Sequence, residues 1–431
     1  MFNKSIIVLA AGAGTRMKSD TPKVLHKISG KPMLYYSIKE ALKLSDDITV
    51  VLFHQAARVQ TEMEKYFSNI NFVIQDHANY PGTGGAVMGI TPKYEEVLVL
   101  NGDMPLIQAE ELKKFDLDAT IVMSVLELQS ADGYGRVIIE NGNVKKIVEQ
   151  KDASPEELAI TTANAGIYQF ETKFLLENLP KLNNNNAQKE YYITDLIEMA
   201  IEQGKVLKPL VVNEENFKGV NSKVELADAE VIHQNRIKKE FLKAGVIMRL
   251  PDTIYIEEGV QIEGESIIEN GVSLLGNSKI VNSHIKTNSV VEDSIVVDSD
   301  VGPMGRIRPG SELNKTHIGN FVETKKAILN GVKAGHLSYL GDCSIDEGTN
   351  IGCGTITCNY DGVNKHQTII GKNVFVGSDT QFVAPVNIED DVLIGAGSCV
   401  TGDVKKGELY LTRAKAKTIG GYFYKHFSSK K

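Results

Sequence analysis

From Ile370 onward an apolar side chain returns every sixth residue: Ile370, Val376, Phe382, Ile388, Ile394 and Val400. Glycine follows at Gly371, Gly377 and Gly395, and the same pair recurs upstream as Ile318-Gly319, Leu340-Gly341 and Ile351-Gly352, with Ile254 and Val260 opening the series. A period of six fits neither the helical 3.6 nor the strand period of 2. It predicts a parallel β-helix, in which each short strand turns one aliphatic residue into a triangular coil. The frame slips once. Ile370 falls one position beyond three hexads from Ile351, and the stretch between them contains Thr357-Cys358-Asn359-Tyr360-Asp361-Gly362. Asp-Gly favours a turn, so a loop leaves the stack there, and loops on rigid scaffolds are good places for chemistry.

The first half has another rhythm. Short apolar runs at 6–10, 48–53, 72–74, 97–100 and 121–126 read as strands, separated by helical stretches such as 33–44. That alternation predicts a parallel, helix-covered sheet with ligands beyond the carboxyl ends of its strands. The first run leads into Leu9-Ala10-Ala11-Gly12-Ala13-Gly14-Thr15-Arg16-Met17. Gly12 and Gly14 let backbone N–H groups approach phosphate oxygens, and Arg16 and Lys23 add cations. No Gly-Lys-Ser/Thr follows, and Met17 stands where a third glycine would complete Gly-x-Gly-x-x-Gly, which argues against a P-loop ATPase and a nicotinamide enzyme. Asn101-Gly102-Asp103 ends the 97–100 strand; a carboxylate there suits Mg²⁺ completed by substrate phosphates, or simply caps the next turn.

Residues 222–244 lack Pro and internal Gly and stop at Gly245, which predicts one helix joining a domain at 1–221 to another at 245–431. The 431 residues carry a net charge of −8, which disfavours a general nucleic-acid binder. No apolar stretch is long enough to span a membrane, and the run broken by Gly12 is too short for a signal peptide, so a cytoplasmic protein is expected. Cys343, Cys353, Cys358 and Cys399 have no metal-site spacing and read as reduced, mostly buried thiols. Basic residues gather at the C-terminus (Arg413, Lys415, Lys417, Lys425, Lys430, Lys431), as a solvated tail or a landing site for an anion.

The glycine-rich loop followed by Pro22-Lys23-Val24-Leu25-His26 resembles the signature of sugar-nucleotide pyrophosphorylases. With Gln75, Pro81-Gly82-Thr83-Gly84, Gly102-Asp103-Met104-Pro105, Gly133-Tyr134-Gly135-Arg136, Ile147-Val148-Glu149, Asn164-Ala165-Gly166 and Glu190-Tyr191-Tyr192-Ile193-Thr194-Asp195, the half resembles the uridylyltransferase part of the bifunctional bacterial UDP-N-acetylglucosamine pyrophosphorylase/glucosamine-1-phosphate N-acetyltransferase family. The resemblance implies a Rossmann-like α/β nucleotidyltransferase domain. It assigns Leu9, Ala10, Ala11, Gly12, Gln75, Gly82 and Thr83 to the nucleotide, with Asn101 and Gly102 lining the same site. Gly135, Glu149 and Asn164 go to the sugar, Asp103 and Asn221 to Mg²⁺, and Arg16 and Lys23 to the phosphates. Ala13 and Asn101 depart from the family, where Lys and an aromatic residue are frequent.

His336 lies in Lys333-Ala334-Gly335-His336-Leu337-Ser338-Tyr339. Histidine's ordinary pKa of about 6.5 suits a general base, although a lone histidine is more often structural. Coil stacking can gather Arg308, Lys325 and Lys365 on one phosphate. Gly319-Asn320-Phe321-Val322-Glu323, the 334–342 segment and the 354–362 segment resemble the acetyltransferase half of the same family, a left-handed parallel β-helix. The match implies His336 as the base for an amine attacking acetyl-CoA, with Glu323 orienting it. Arg308, Lys325, Tyr339, Asn350 and Lys365 would bind glucosamine 1-phosphate, and Cys353, Asn359, Tyr360, Ser378, Ala396 and Arg413 would line the acetyl-CoA site. It further implies a homotrimer with acyl sites between subunits, with UTP and acetyl-CoA as co-substrates. Two other readings stand beside it: a one-reaction pyrophosphorylase with a structural or regulatory β-helix, and a zinc hydratase of the γ carbonic anhydrase type. The second lacks the close histidine pair, since His317, His336 and His366 are far apart.

Overall fold

The computed structural model describes residues 4–12, 14–131, 135–148, 150 and 153–428, in two compact units, Met1–His233 and Gln234–Lys431. The first is a mixed nine-stranded sheet. Its strands are β1 (Lys4–Ala10), β2 (Ile48–Leu52), β3 (Asn71–Ile74), β4 (Glu96–Asn101), β5 (Ile121–Glu127), β6 (Arg136–Glu140), β7 (Asn143–Val148), β8 (Thr162–Glu171) and β9 (Leu207–Val211). The order is β9-β5-β8-β4-β1-β2-β3, and the hairpin β6–β7 hangs on β8. The expected strands are all present, but the sheet is not wholly parallel. β8 runs antiparallel to both β4 and β5. Its sequence alternates less cleanly than the buried runs, and a register shift between Asn164 and Tyr168 breaks its period. The four strands β4-β1-β2-β3 are parallel, and Leu9 lies beside Asn101 where the chain order reverses, the usual place for a nucleotide cleft. Apolar clusters cover both faces, as continuous runs such as Ile6-Ile7-Val8 require.

The second unit is a left-handed parallel β-helix. Every strand pair in it is parallel, and its single core runs from Val246 to Val404. On one face the inward residue steps through Ile268, Ile285, Val301, Ile318, Ala334 and Ile351, each step one or two positions short of three hexads. The next step, Ile351 to Val376, overshoots three hexads, and the one after, Val376 to Ile394, matches them. The full hexad frame therefore belongs to the last coils and, on two faces, to the first (Ile256 to Leu274 and Ile262 to Ile280), while the coils between drop a residue or two at a corner. Buried hydroxyls brace one such corner: Ser266 accepts from the Ser283 N–H, Ser283 from Ser299, and Ser299 from Thr316, at 3.2, 3.1 and 2.9 Å. The expected loop is there, but the count behind it changes. Ile351 and Ile370 lie on different faces, and the insertion lengthens the coil by the same amount on all three.

Residues Lys223–Lys243 form one helix, and the division between the units falls within it. No helix among the described residues is long and apolar enough to cross a membrane. All four cysteines are free, yet only Cys343 is buried; Cys353 and Cys358 are half-buried and Cys399 is exposed. The expectation of mostly buried thiols fails because Cys358 and Cys399 take outward strand positions on their coils and Cys353 lies in a turn. Burial pushes the Cys343 thiol up to about 12.

Candidate active sites

In the first unit the carboxyl ends of β1, β2, β3 and β4 stand side by side. Gly12 is exposed just beyond β1. Gly14 is left-handed (φ 64°), and a β-carbon on it would lie 2.5 Å from Lys23 Cβ, so glycine there lets the Lys23 stem pass. Gly102 is similarly confined: its N–H donates to the Leu9 carbonyl at 2.8 Å, and a β-carbon would meet Leu34 at 2.9 Å. These two close approaches bring Lys23 and Asp103 together, and the Lys23 ammonium donates to Asp103 Oδ2. It also donates to Asn221 Oδ1 at 3.1 Å, and the Val220 N–H donates to the Asp103 carbonyl at 2.8 Å. Three segments far apart in sequence thus converge on one ammonium.

Asn221 stands at the start of the Lys223–Lys243 helix, which opens with a variant of the capping box. Glu225 N–H donates to Ser222 Oγ at 3.2 Å, and Glu225 Oε2 accepts from the Asn221 N–H at 2.7 Å. Burial pushes the Glu225 carboxyl up, but the Asn221 and Ser222 bonds and the nearby Arg16 bring it net below its ordinary value. Arg16 itself is exposed, in the turn Thr15–Met17.

Gln75 is buried and its amide NH₂ is committed, donating to the carbonyls of Tyr80 at 2.8 Å and Gly82 at 3.0 Å. Its Oε1 therefore faces away from them as an acceptor. Gly82 (φ 91°) lies against the Tyr191 backbone, where a β-carbon would be 2.6 Å from the carbonyl oxygen, and Thr83 Oγ1 accepts from the Ile193 N–H at 3.1 Å. Asn101 Nδ2 donates to the Gly166 carbonyl at 3.0 Å. Asn164 is already engaged in the β8 irregularity, accepting from the Gly166 N–H at 2.9 Å and bonding the Tyr168 hydroxyl at 2.7 Å. Leu9 and Ala11 are half-buried, Ala10 is buried and Gly135 is half-buried. Glu149 and Ala13 lie outside the described residues.

In the second unit, strand register gathers Arg308, Glu323, Lys325 and Tyr339. Arg308 pairs with Lys325, Arg306 with Glu323, and Glu323 with Tyr339, one coil apart each time. Arg308 Nη1 donates to Glu323 Oε1 at 2.6 Å. The ammonium of Lys365, and then Arg308, pull Lys325 below its ordinary value, so three cations share this face. Tyr339 folds over Gly341, where a β-carbon would be 2.4 Å from the hydroxyl. Lys365 arrives on the inserted hairpin, bridged to Tyr360 and fastened by Asp361, which accepts from the N–H groups of Val363 (2.8 Å) and Asn364 (2.6 Å) and from His366 (2.7 Å). Those contacts hold the Asp361 carboxyl far below its ordinary value. Asn359 Nδ2 ties the hairpin base to Asp342.

His336 ends the strand Lys333–His336 on a different face and is exposed. Its register partner is Asn320, and the same register carried upward places Cys353, Ser378 and Ala396 one per coil above it. The backbone confirms the column: the Asp379 N–H donates to the Cys353 carbonyl at 2.7 Å and the Gly397 N–H to Ser378 at 2.8 Å. Beside it runs a column of glycines (Gly319, Gly335, Gly352, Gly377, Gly395); a β-carbon on Gly377 would sit 2.4 Å from the Ala396 nitrogen. Four of these glycines stand out in the sequence, but only the coil lengths separate them from Gly341 and Gly371, which lie on other faces. Asn350 lies on the face of His336, paired with Lys333 and Phe375, and not with Lys325 and Tyr339. Arg413 is exposed in the segment beyond Tyr410. Within one chain, then, Asn350 is not brought to the cation cluster. Nor does Glu323 meet His336: among the described residues its carboxylate bonds Arg308.

Residues 6–116 match the MobA-like NTP transferase domain and residues 367–402 the bacterial transferase hexapeptide (six repeats). The chain is 91% identical to the bifunctional protein GlmU of Aliarcobacter butzleri, over 100% of both chains. It is 62% identical to that of Wolinella succinogenes, again over 100% of both, and 60% identical to that of Nitratiruptor sp., over 98% of this chain and 99% of the relative.

Proposed function

The chain belongs to the family of the bifunctional protein GlmU, and we propose that the α/β unit and the β-helix each carry one of its two reactions on the residues located above. The protein N-acetylates glucosamine 1-phosphate from acetyl-CoA and transfers a uridylyl group from UTP to N-acetylglucosamine 1-phosphate, giving UDP-N-acetylglucosamine and pyrophosphate.

Uridylyl transfer belongs to the cleft beyond β1 and β4. A phosphate oxygen of the sugar attacks the α-phosphorus of UTP, and the bond to the β-phosphate oxygen breaks as pyrophosphate leaves. No protein nucleophile is needed; Lys23 and Arg16 neutralise charge and Gly12 lets the triphosphate approach the backbone. The Oε1 of Gln75 would accept the uracil N3–H. Asp103 and Asn221 would hold Mg²⁺. Their fit rests on a cation already shared between them, the Lys23 ammonium, and on their oxygen chemistry. No cluster of three His, Cys, Asp or Glu exists among the described residues, so substrate phosphates and water would complete the Mg²⁺ shell. The ion would supply charge neutralisation on the phosphates.

Acetyl transfer belongs to the β-helix. Arg308, Lys325, Lys365 and Tyr339 hold the sugar phosphate. His336 takes a proton from the amine, whose nitrogen attacks the thioester carbonyl, and CoA leaves as its thiolate. The column of Cys353, Ser378 and Ala396, with Asn359 and Tyr360, forms the acyl-CoA wall. The division of Asn350 and His336 from the cation face, and the exposed segment bearing Arg413, support a homotrimer in which a neighbouring chain completes each acyl site. A cytoplasmic location follows from the supply of UTP and acetyl-CoA there.

The observation that carries the two-site reading is the convergence of Lys23, Asp103 and Asn221 in one unit while His336 heads its column in the other. Asp103→Ala should lower uridylyl transfer by about a hundredfold or more and spare acetyl transfer; His336→Ala should do the reverse. Loss of both activities in either variant, or no acetyl transfer by the unmutated protein, overturns it.

A further inference from the structure

The Lys23 ammonium bonds the two side-chain oxygens assigned above to Mg²⁺: Asp103 Oδ2, and Asn221 Oδ1 at 3.1 Å. We propose that Lys23 is the resident cation of the ligand-free site: it holds Asp103 and Asn221 together and keeps a divalent ion out until nucleotide phosphates draw the ammonium away. The inference rests on the assignment of Asp103 and Asn221 to the metal.

Three observations support it. The pair is largely out of water, with side-chain exposures of 13% for Lys23 and 18% for Asp103, so the carboxylate needs a counter-charge when no ligand is bound. The Lys23 backbone is fixed in a turn, with the Leu25 N–H donating to the Pro22 carbonyl at 2.9 Å and the stem threaded past Gly14. Only its flexible end can swing, and the glycine turn beside it is where phosphates would offer a second partner. Finally, Lys23 and a divalent ion cannot share Asp103 Oδ2 and Asn221 Oδ1, because like charges at contact distance repel. Nucleotide and metal then assist each other's binding by an equal factor, since each favours the same displaced position of Lys23.

Titration of the full-length protein with Mn²⁺, without nucleotide and followed by the electron paramagnetic resonance signal of the free ion, tests this. Lys23→Met should bind Mn²⁺ about tenfold more tightly than the unmutated protein, the equivalent of losing one partly buried ion-pair partner. Lys23→Gln, which keeps a hydrogen-bonding end without the charge, should show the same tightening, and Lys23→Arg should not. Equal Mn²⁺ affinity in Lys23→Met, Lys23→Gln and the unmutated protein overturns the proposal. Adding Asp103→Asn to Lys23→Met should abolish the tight binding. If that double variant still binds tightly, the metal assignment itself has failed.

Discussion

Arg308 and Glu323 face each other from adjacent coils, and the guanidinium Nη1 donates to Glu323 Oε1 at 2.6 Å. The carboxylate that the sequence offers to His336 thus bonds a cation of the Arg308, Lys325 and Lys365 cluster. Both side chains are about one-third exposed, so the pair adds little to stability, and its main effect is to mask positive charge. Glu323→Gln should therefore lower KM for glucosamine 1-phosphate by about two- to fivefold and strengthen inhibition by inorganic phosphate, as seen in steady-state kinetics. A large fall in kcat with unchanged KM would instead restore Glu323 to the service of His336.

Gln75 presents an acceptor because both its amide hydrogens are held by Tyr80 and Gly82. Uracil and thymine carry a donor at N3, whereas cytosine carries an acceptor there. CTP should be a poorer substrate than UTP by about a hundredfold or more in kcat/KM, while the Gln75 contact alone does not separate UTP from dTTP. Competition assays with the three nucleotides decide it; comparable use of CTP removes Gln75 from base reading.

Glu269 contributes to the acid response of the β-helix. It accepts from Thr287 Oγ1 at 2.7 Å, the Thr287 N–H at 3.0 Å, His284 at 2.9 Å and Arg249 at 2.8 Å. These bonds, the Thr287 hydroxyl foremost, outweigh burial and lower its carboxyl from 4.5 to about 2. As pH falls between those values the unfolded chain binds a proton that the folded one refuses. The stabilisation is complete above about 4.5 and is lost on approach to 2. Glu269→Gln should destabilise the β-helix by about 1–3 kcal/mol at neutral pH and flatten its loss of stability across that window. Denaturant unfolding at several pH values measures both effects.

The strands of the α/β unit were legible because buried parallel strands are unbroken apolar runs: β2 is the expected segment to within one residue, and β4 extends it by one at each end. β8 was not, since its Gly166 kink and polar Asn164 and Gln169 obscure the strand pattern. In the β-helix the inward aliphatics were legible, but their three-dimensional stacking was not. A coil two positions short of three hexads and a coil of full length look unrelated in a hexad frame, although both close one turn. For that reason Asn350 and Lys325 read as neighbours among the charged and polar residues, whereas the coil puts them on separate faces. The contact between Glu323 and Arg308 was hidden for a related reason: the two are distant in sequence and one rung apart in space.

The coil lengthened by the hairpin has a consequence for how such a scaffold can change. The hairpin bearing Tyr360 and Lys365 leaves one corner, and the rungs before and after it resume parallel pairing as though nothing intervened. A stack whose contacts lie only between successive turns does not register the length of an excursion between them. The arm that carries Lys365 can therefore be lengthened, shortened or reshaped by mutation without re-threading the cylinder, which leaves the charge presented at that corner open to change on a frame that stays constant.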